Sequence, residues 1–181
     1  MFRIETVISG KQKWYPMRLR VIVANFLSLI FLANCGGPDT FEQEYNQKIK
    51  NDLPVSVNII TAHKPNYAGG VDIYIQTKNL SSKTIKYINW TAVPYNAVGD
   101  KQTGEIRKRT SVILEEVGPL EYLEKTKPGM GWEAVWYNHS IQCIELVKLS
   151  IEYMDGTKKH YNGKNAIKPL LRSDVTNDCT I

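Results

Sequence analysis

The sequence predicts an all-β protein, an antiparallel β-sandwich set behind an export leader and a short tether. Three observations carry this prediction. After Pro54 the chain falls into short segments rich in β-branched and aromatic residues, bounded by Gly, Pro, Asn or Asp. Several of them alternate apolar and polar residues with a period of two, the pattern of a strand with one buried face. No helical crossover separates them, which leaves antiparallel rather than βαβ pairing.

Residues 40–51 come first, as a candidate helix. Thr40 and Gln43 have capping-box spacing, and Phe41, Tyr45 and Ile49 recur every four residues. Residues 35–52 therefore read as a flexible or helical tether, and 53–181 as the sandwich with its C-terminal tail. The first strand segment is 53–62. In 71–78, Val71, Ile73 and Ile75 share one face while Asp72, Tyr74 and Gln76 share the other. Residues 84–95 are apolar on both faces, as a central strand would be. Pro94 marks the end of that strand or a bulge, because it cannot donate to a ladder.

Residues 107–114 read as an edge strand, its Arg107-Lys108-Arg109 run blunting the edge. Lys127-Pro128-Gly129 leads into 132–138. In 142–154, Val147, Leu149, Ile151 and Tyr153 face one way and Lys148, Ser150 and Glu152 the other. Asp155-Gly156 is a hairpin signal, and 157–161 returns antiparallel. Six to eight short strands of this kind predict an immunoglobulin-like sandwich.

Four stretches carry a resemblance: Lys83-Thr84-Ile85-Lys86-Tyr87-Ile88, Pro94-Tyr95-Asn96-Ala97-Val98-Gly99-Asp100, Val135-Trp136-Tyr137-Asn138 and Ile151-Glu152-Tyr153-Met154-Asp155-Gly156-Thr157. Over about 53–161 they resemble an uncharacterised Ig-like domain of bacterial envelope proteins. The resemblance implies a sandwich carried by exported or lipid-anchored chains, and no assigned activity.

The leader has its own signals. Met17-Arg18-Leu19-Arg20 is a short basic start, and 21–33 is apolar apart from Asn25 and Ser28. These are the parts of a secretory signal, and the run is shorter than the roughly 20 apolar residues of a membrane span. Met17 fits as the start better than Met1, which makes 1–16 a mis-assigned gene start and 1–34 the leader. Leu32-Ala33-Asn34-Cys35 resembles the lipobox of bacterial lipoproteins, with Asn34 where Gly or Ala is usual. The resemblance implies a diacylglyceryl group on the Cys35 thiol, cleavage before Cys35, and acylation of the new amine. Two or more chains give a stable anchor where one does not. The expected location is the bacterial cell envelope, with Gly36 compatible with an outer membrane where the host has one. The alternative is a plain secretory signal with an incidental Cys35.

The formal charge of +5 hints at nucleic acid until it is located. Arg3, Lys11, Lys13, Arg18 and Arg20 lie before or at the start of the apolar run, opposed only by Glu5, so the remainder is nearly neutral. A nucleic-acid partner loses its support. Cys143 and Cys179 remain as an even pair in an oxidising compartment. They are either bridged, or Cys143 is a buried strand residue and Cys179 a loose terminal one.

Little points to catalysis. His63, His139 and His160 lack metal-ligand spacing, and no P-loop, nucleophile elbow or dinucleotide fingerprint occurs. No metal or cofactor is implied, and an enzyme would need Glu133, Asp155 or a histidine to converge. The aromatic set of Trp90, Tyr95, Trp132, Trp136 and Tyr137 has two readings, core packing or a ligand platform; Trp132 and Tyr137 are the platform candidates. The expected function is a non-catalytic interaction or structural module joined to a membrane by lipid, with an envelope protein or glycan as partner. The alternative is a glycan- or small-ligand-binding module using an exposed aromatic cluster.

Overall fold

The computed structural model describes residues 40–127 and 131–179. The leader and the lipidation candidate Cys35 lie outside the described residues. Seven strands follow one helix: α1 (Thr40–Lys50), β1 (Val55–Ala62), β2 (Gly70–Asn79), β3 (Ile85–Tyr95), β4 (Val112–Leu120), β5 (Gly131–Tyr137), β6 (Cys143–Tyr153) and β7 (Lys158–Asn162). A short helix α2 (Lys164–Ile167) and a 3-10 turn (Lys168–Leu170) begin the tail. The strands make two sheets, β1-β2-β5 and β4-β3-β6-β7, and every pairing within them is antiparallel.

In β2 the inward positions are those that period-two alternation selects. Val147 of β6, expected on one face with Leu149 and Ile151, packs instead against Val93, Tyr95 and Cys179. Val71, Ile73 and Ile75 of β2 meet Ile88, Trp90 and Ala92 of β3 in one core with Leu114, Trp136 and Leu149. Trp90 is 0% exposed at its centre. Bulges reset the alternation where it would otherwise fail. Val147 is skipped between the Ala92–Leu146 and Thr91–Lys148 pairs, so Ile144 and Leu146 before it and Leu149 and Ile151 after it all face inward. Asn58 is skipped in β1 in the same way.

β3 is central, flanked by β4 and β6. Pro94 lies beyond the last β3–β4 pair, Ala92–Val112, where its missing N–H interrupts no ladder on that side. The edge strand after it is shifted from the segment expected at 107–114. Arg107, Lys108 and Arg109 are in an exposed turn, with Lys108 at φ 50, and the strand is Val112–Leu120. Its end holds Gly118-Pro119, absorbed by a register shift opposite Ile85 and Tyr87. A Cβ at Gly118 would run into the Ile85 carbonyl, so glycine is what lets β4 stay against β3.

The helix that reads as part of a tether is bound to the sandwich, and the compact unit starts at Thr40. Tyr45 donates its hydroxyl to Asn58 Oδ1 at the β1 bulge (3.1 Å). Lys48 reaches inward, 8% exposed along its side chain, and donates to Ser56 Oγ and to the Leu170 and Leu171 carbonyls at 3.1, 3.2 and 2.6 Å. Glu44 pairs with Lys48 at 2.9 Å and accepts the Ser173 N–H and hydroxyl.

The tail is held at several points. Arg172 N–H donates to the Val57 carbonyl, and Leu171 bridges to Val57. Asn177 works as a stand-in strand: its Oδ1 accepts the Leu146 N–H at 2.6 Å and its Nδ2 donates to the Leu146 carbonyl at 2.9 Å. Cys179 is joined to Cys143 by a disulfide, with Cα atoms 5.7 Å apart.

Candidate functional site

The site lies where the free edges of the two sheets, β4 and β5, leave a gap. Along β4 the inward residues are Val112 and Leu114, and the same parity turns Glu116 inward, opposite Ile88. β5 starts close to β2: a Cβ on Gly131 would lie 2.6 Å from the Ile73 carbonyl oxygen. Trp132 then spans the gap, half-buried, and its Nε1 donates to the Glu115 carbonyl at 3.3 Å. Between these edges opens a cleft of about 370 Å³, walled by Ile85, Ile88, Leu120 and Trp132, with Glu116 and Thr126 as its inward polar groups.

Glu116 is the unusual member. Its Oε2 is buried and has no hydrogen-bond partner. Burial pushes the carboxyl up to about 7, and the Thr126 hydroxyl, which favours the charged form, only partly opposes it. Thr126 is itself fixed, since its Oγ1 accepts the Thr77 N–H at 3.1 Å. The charged residues around the cleft are exposed: Glu115 on β4, and Glu124, Lys125 and Lys127 on the segment before β5.

This carboxyl ties stability to pH with an unusual sign. Between its ordinary value of 4.5 and about 7 the folded chain holds a proton that the unfolded chain has released. Stability therefore falls as pH rises through that window. The Glu116→Gln variant is expected to flatten this slope and to be more stable than wild type at pH 8 by about 2 kcal/mol, allowing for solvent screening. Urea unfolding at pH 5 and pH 8 checks it, and parallel pH profiles for the two proteins would refute it.

Trp132 also borders a second, shallower cleft on the outer face of the β1-β2-β5 sheet, about 550 Å³, with Thr61, His63, Asp72, Tyr74 and Glu133. Asp72 is committed to the fold there: its Oδ1 accepts the Ala134 N–H at 2.7 Å and holds Ala134 at φ 46. That bulge separates the two platform candidates. Trp132 pairs with Ile73 near the start of β5, whereas Tyr137 pairs with Gly70 at its end and lines neither cleft. Trp90, Trp136 and Tyr95 are buried.

Of the residues an enzyme would have to gather, Glu133 and His63 share that second cleft and Asp155 does not line it. Asp155 is held in the β6–β7 turn by Lys83 (2.7 Å) and Thr157 (2.6 Å), away from Glu133. Among the described residues no group of three or more His, Cys, Asp or Glu is placed to hold a metal ion. No described helix is long and apolar enough to cross a membrane.

Compared with protein-family models, curated proteins and solved structures, the chain matches none. The site therefore rests on its own geometry. Glu116 and Thr126 are its residues that sequence reasoning passed over. The available signal was parity: counting in twos from Val112 and Leu114 lands on an acid where an apolar residue belongs.

Proposed function

We propose that this chain is a non-catalytic, lipid-anchored protein of the bacterial cell envelope whose immunoglobulin-like sandwich binds a small ligand in the cleft between β4 and β5. The observation that carries the binding half is the buried Glu116 oxygen left without a partner on the wall of an apolar cleft. A buried polar atom without a hydrogen bond costs about 1–3 kcal/mol, and ligand sites are where such a cost has a use.

Strand partition supports the immunoglobulin-like reading. The first, second and fifth strands share one sheet and the third, sixth and seventh the other, as in constant-type domains, with the fourth moved beside the third. A buried tryptophan on the third strand, Trp90, fits as well. The disulfide differs, since it ties the sixth strand to the tail rather than one sheet to the other.

The envelope address is supported by the basic start, the apolar run and Cys35, and by a disulfide of the kind that persists in oxidising compartments. Growth with a labelled fatty acid is expected to mark the wild-type protein and to leave Cys35→Ala unmarked. Equal label in the two would overturn the anchor.

A second reading, docking of an envelope protein, is favoured by β4 itself. It is an edge strand whose outward Ile113 and Val117 are 70% and 67% exposed.

A further inference from the structure

We propose that the cleft between β4 and β5 takes a small organic cation, a primary ammonium attached to an apolar body about the size of one aromatic ring. This rests on the reading of the cleft as a binding site and names its ligand class.

Size and lining set the body. A volume of about 370 Å³ is at the small end of ligand pockets, and Ile85, Ile88, Leu120 and Trp132 give it apolar walls. Trp132 offers an aromatic surface, and its own N–H is already spent on the Glu115 carbonyl. The ligand therefore has no indole donor to satisfy there.

Glu116 sets the head group. Its Oε2 asks for a donor, and inside a cleft of low polarity a charged donor makes the stronger bond. An anion would be repelled by the carboxylate of Glu116 on the wall itself, while at the exposed rim Glu115 and Glu124 are offset by Lys125 and Lys127. A neutral hydroxyl can donate but leaves the carboxylate charge uncompensated. An ammonium supplies both the proton and the charge, and Thr126 stands beside the carboxyl on the same wall.

Among the described residues, these charged groups line the cleft with Glu116. β4 brings Glu115; the segment before β5 brings Glu124, Lys125 and Lys127; the lining residues of β3 and β5 are Ile85, Ile88, Gly131 and Trp132, all uncharged. Glu124 is partly engaged, since its Oε2 accepts the Glu121 N–H at 2.8 Å. Because burial alone holds the carboxyl near neutrality, an ammonium at Oε2 would draw it into the charged form. Binding is therefore tighter at pH 8 than at pH 6, while the amine stays protonated throughout.

The test uses three probes of one shape: 2-phenylethylamine, 2-phenylethanol and phenylacetate. Each is titrated into the full chain while the tryptophan indole N–H resonances are followed by NMR, Trp132 being assigned with Trp132→Phe. The amine is expected to shift the Trp132 signal saturably and to bind about tenfold tighter than the alcohol, with phenylacetate weakest. In Glu116→Gln the amine is expected to fall to the level of the alcohol, with Trp90 and Trp136 signals unmoved as proof of folding. Amine and alcohol binding alike, or an amine affinity untouched in Glu116→Gln, overturns the ammonium while leaving the cleft as a site. A Trp132 signal silent to all three probes overturns the cleft as well.

Discussion

Replacing Lys48 with methionine is expected to destabilise the domain by about 3 kcal/mol, although the substitution keeps the apolar stem of the side chain. The cost lies in what the ammonium leaves behind. Ser56, the Leu170 and Leu171 carbonyls and Glu44 all converge on Lys48 Nζ, which joins α1, the start of β1 and the tail at one point. Without it, two carbonyls lose a charged donor and a largely buried carboxylate loses its cation. Burial by itself lowers the affinity of Lys48 for its proton, and the Glu44 hydrogen bond works against that. The glutamate is the mirror case. Burial pushes the Glu44 carboxyl up, but the bonds from Lys48 and Ser173 outweigh it and hold it below the ordinary 4.5. Glu44 thus contributes stability present above pH 4.5 and lost as the pH falls through its folded value, opposite in sign to Glu116. Urea unfolding measures the total, and amide exchange shows whether residues 40–50 and 164–173 loosen together. A midpoint within error of wild type would refute the clamp.

The Cys143→Ser, Cys179→Ser double variant is expected to lose about 4 kcal/mol, from the chain entropy released when a loop of sequence separation 36 is opened. The tail would keep Asn177 on Leu146 and Arg172 on Val57, so the fold survives with a weakened end. The bridge is also a local fastening, since the Cys179 N–H donates to the buried Glu145 at 3.0 Å beside it. Limited proteolysis of the variant is expected to begin within 171–179, and the unfolding midpoint of the wild type is expected to drop with added reductant. An unchanged midpoint under reduction would sink this account.

Strand interiors were legible wherever packing obeys alternation. Val71, Ile73 and Ile75 point inward as their spacing requires, and β3, expected to be central, is flanked by β4 and β6. The Asp155-Gly156 turn is equally local, with Gly156 at φ 81. What resisted reading depended on distant backbone. The Glu115-Glu116 pair and Gly118-Pro119 look like the end of a strand, yet β4 runs through them because Gly118 nests against the Ile85 carbonyl. With the strand drawn to end at Leu114, the count in twos stopped one step short of Glu116. The separation of Trp132 from Tyr137 was hidden for a similar reason. It arises from the Ala134 bulge, which Asp72 stabilises from a strand more than sixty residues away in sequence (separation 62).

The clamp on α1 has a mechanical consequence for the proposed anchor. A helix bound to the sandwich from Thr40 onward adds no length to a leash. From Cys35 to Thr40 the chain can extend at most about 18 Å, at roughly 3.6 Å per residue. Held by its lipid, the sandwich would ride close against the bilayer surface and sweep only a narrow shell above it. If Cys35 carries the lipid, a ligand bound in the cleft would be drawn from that shell.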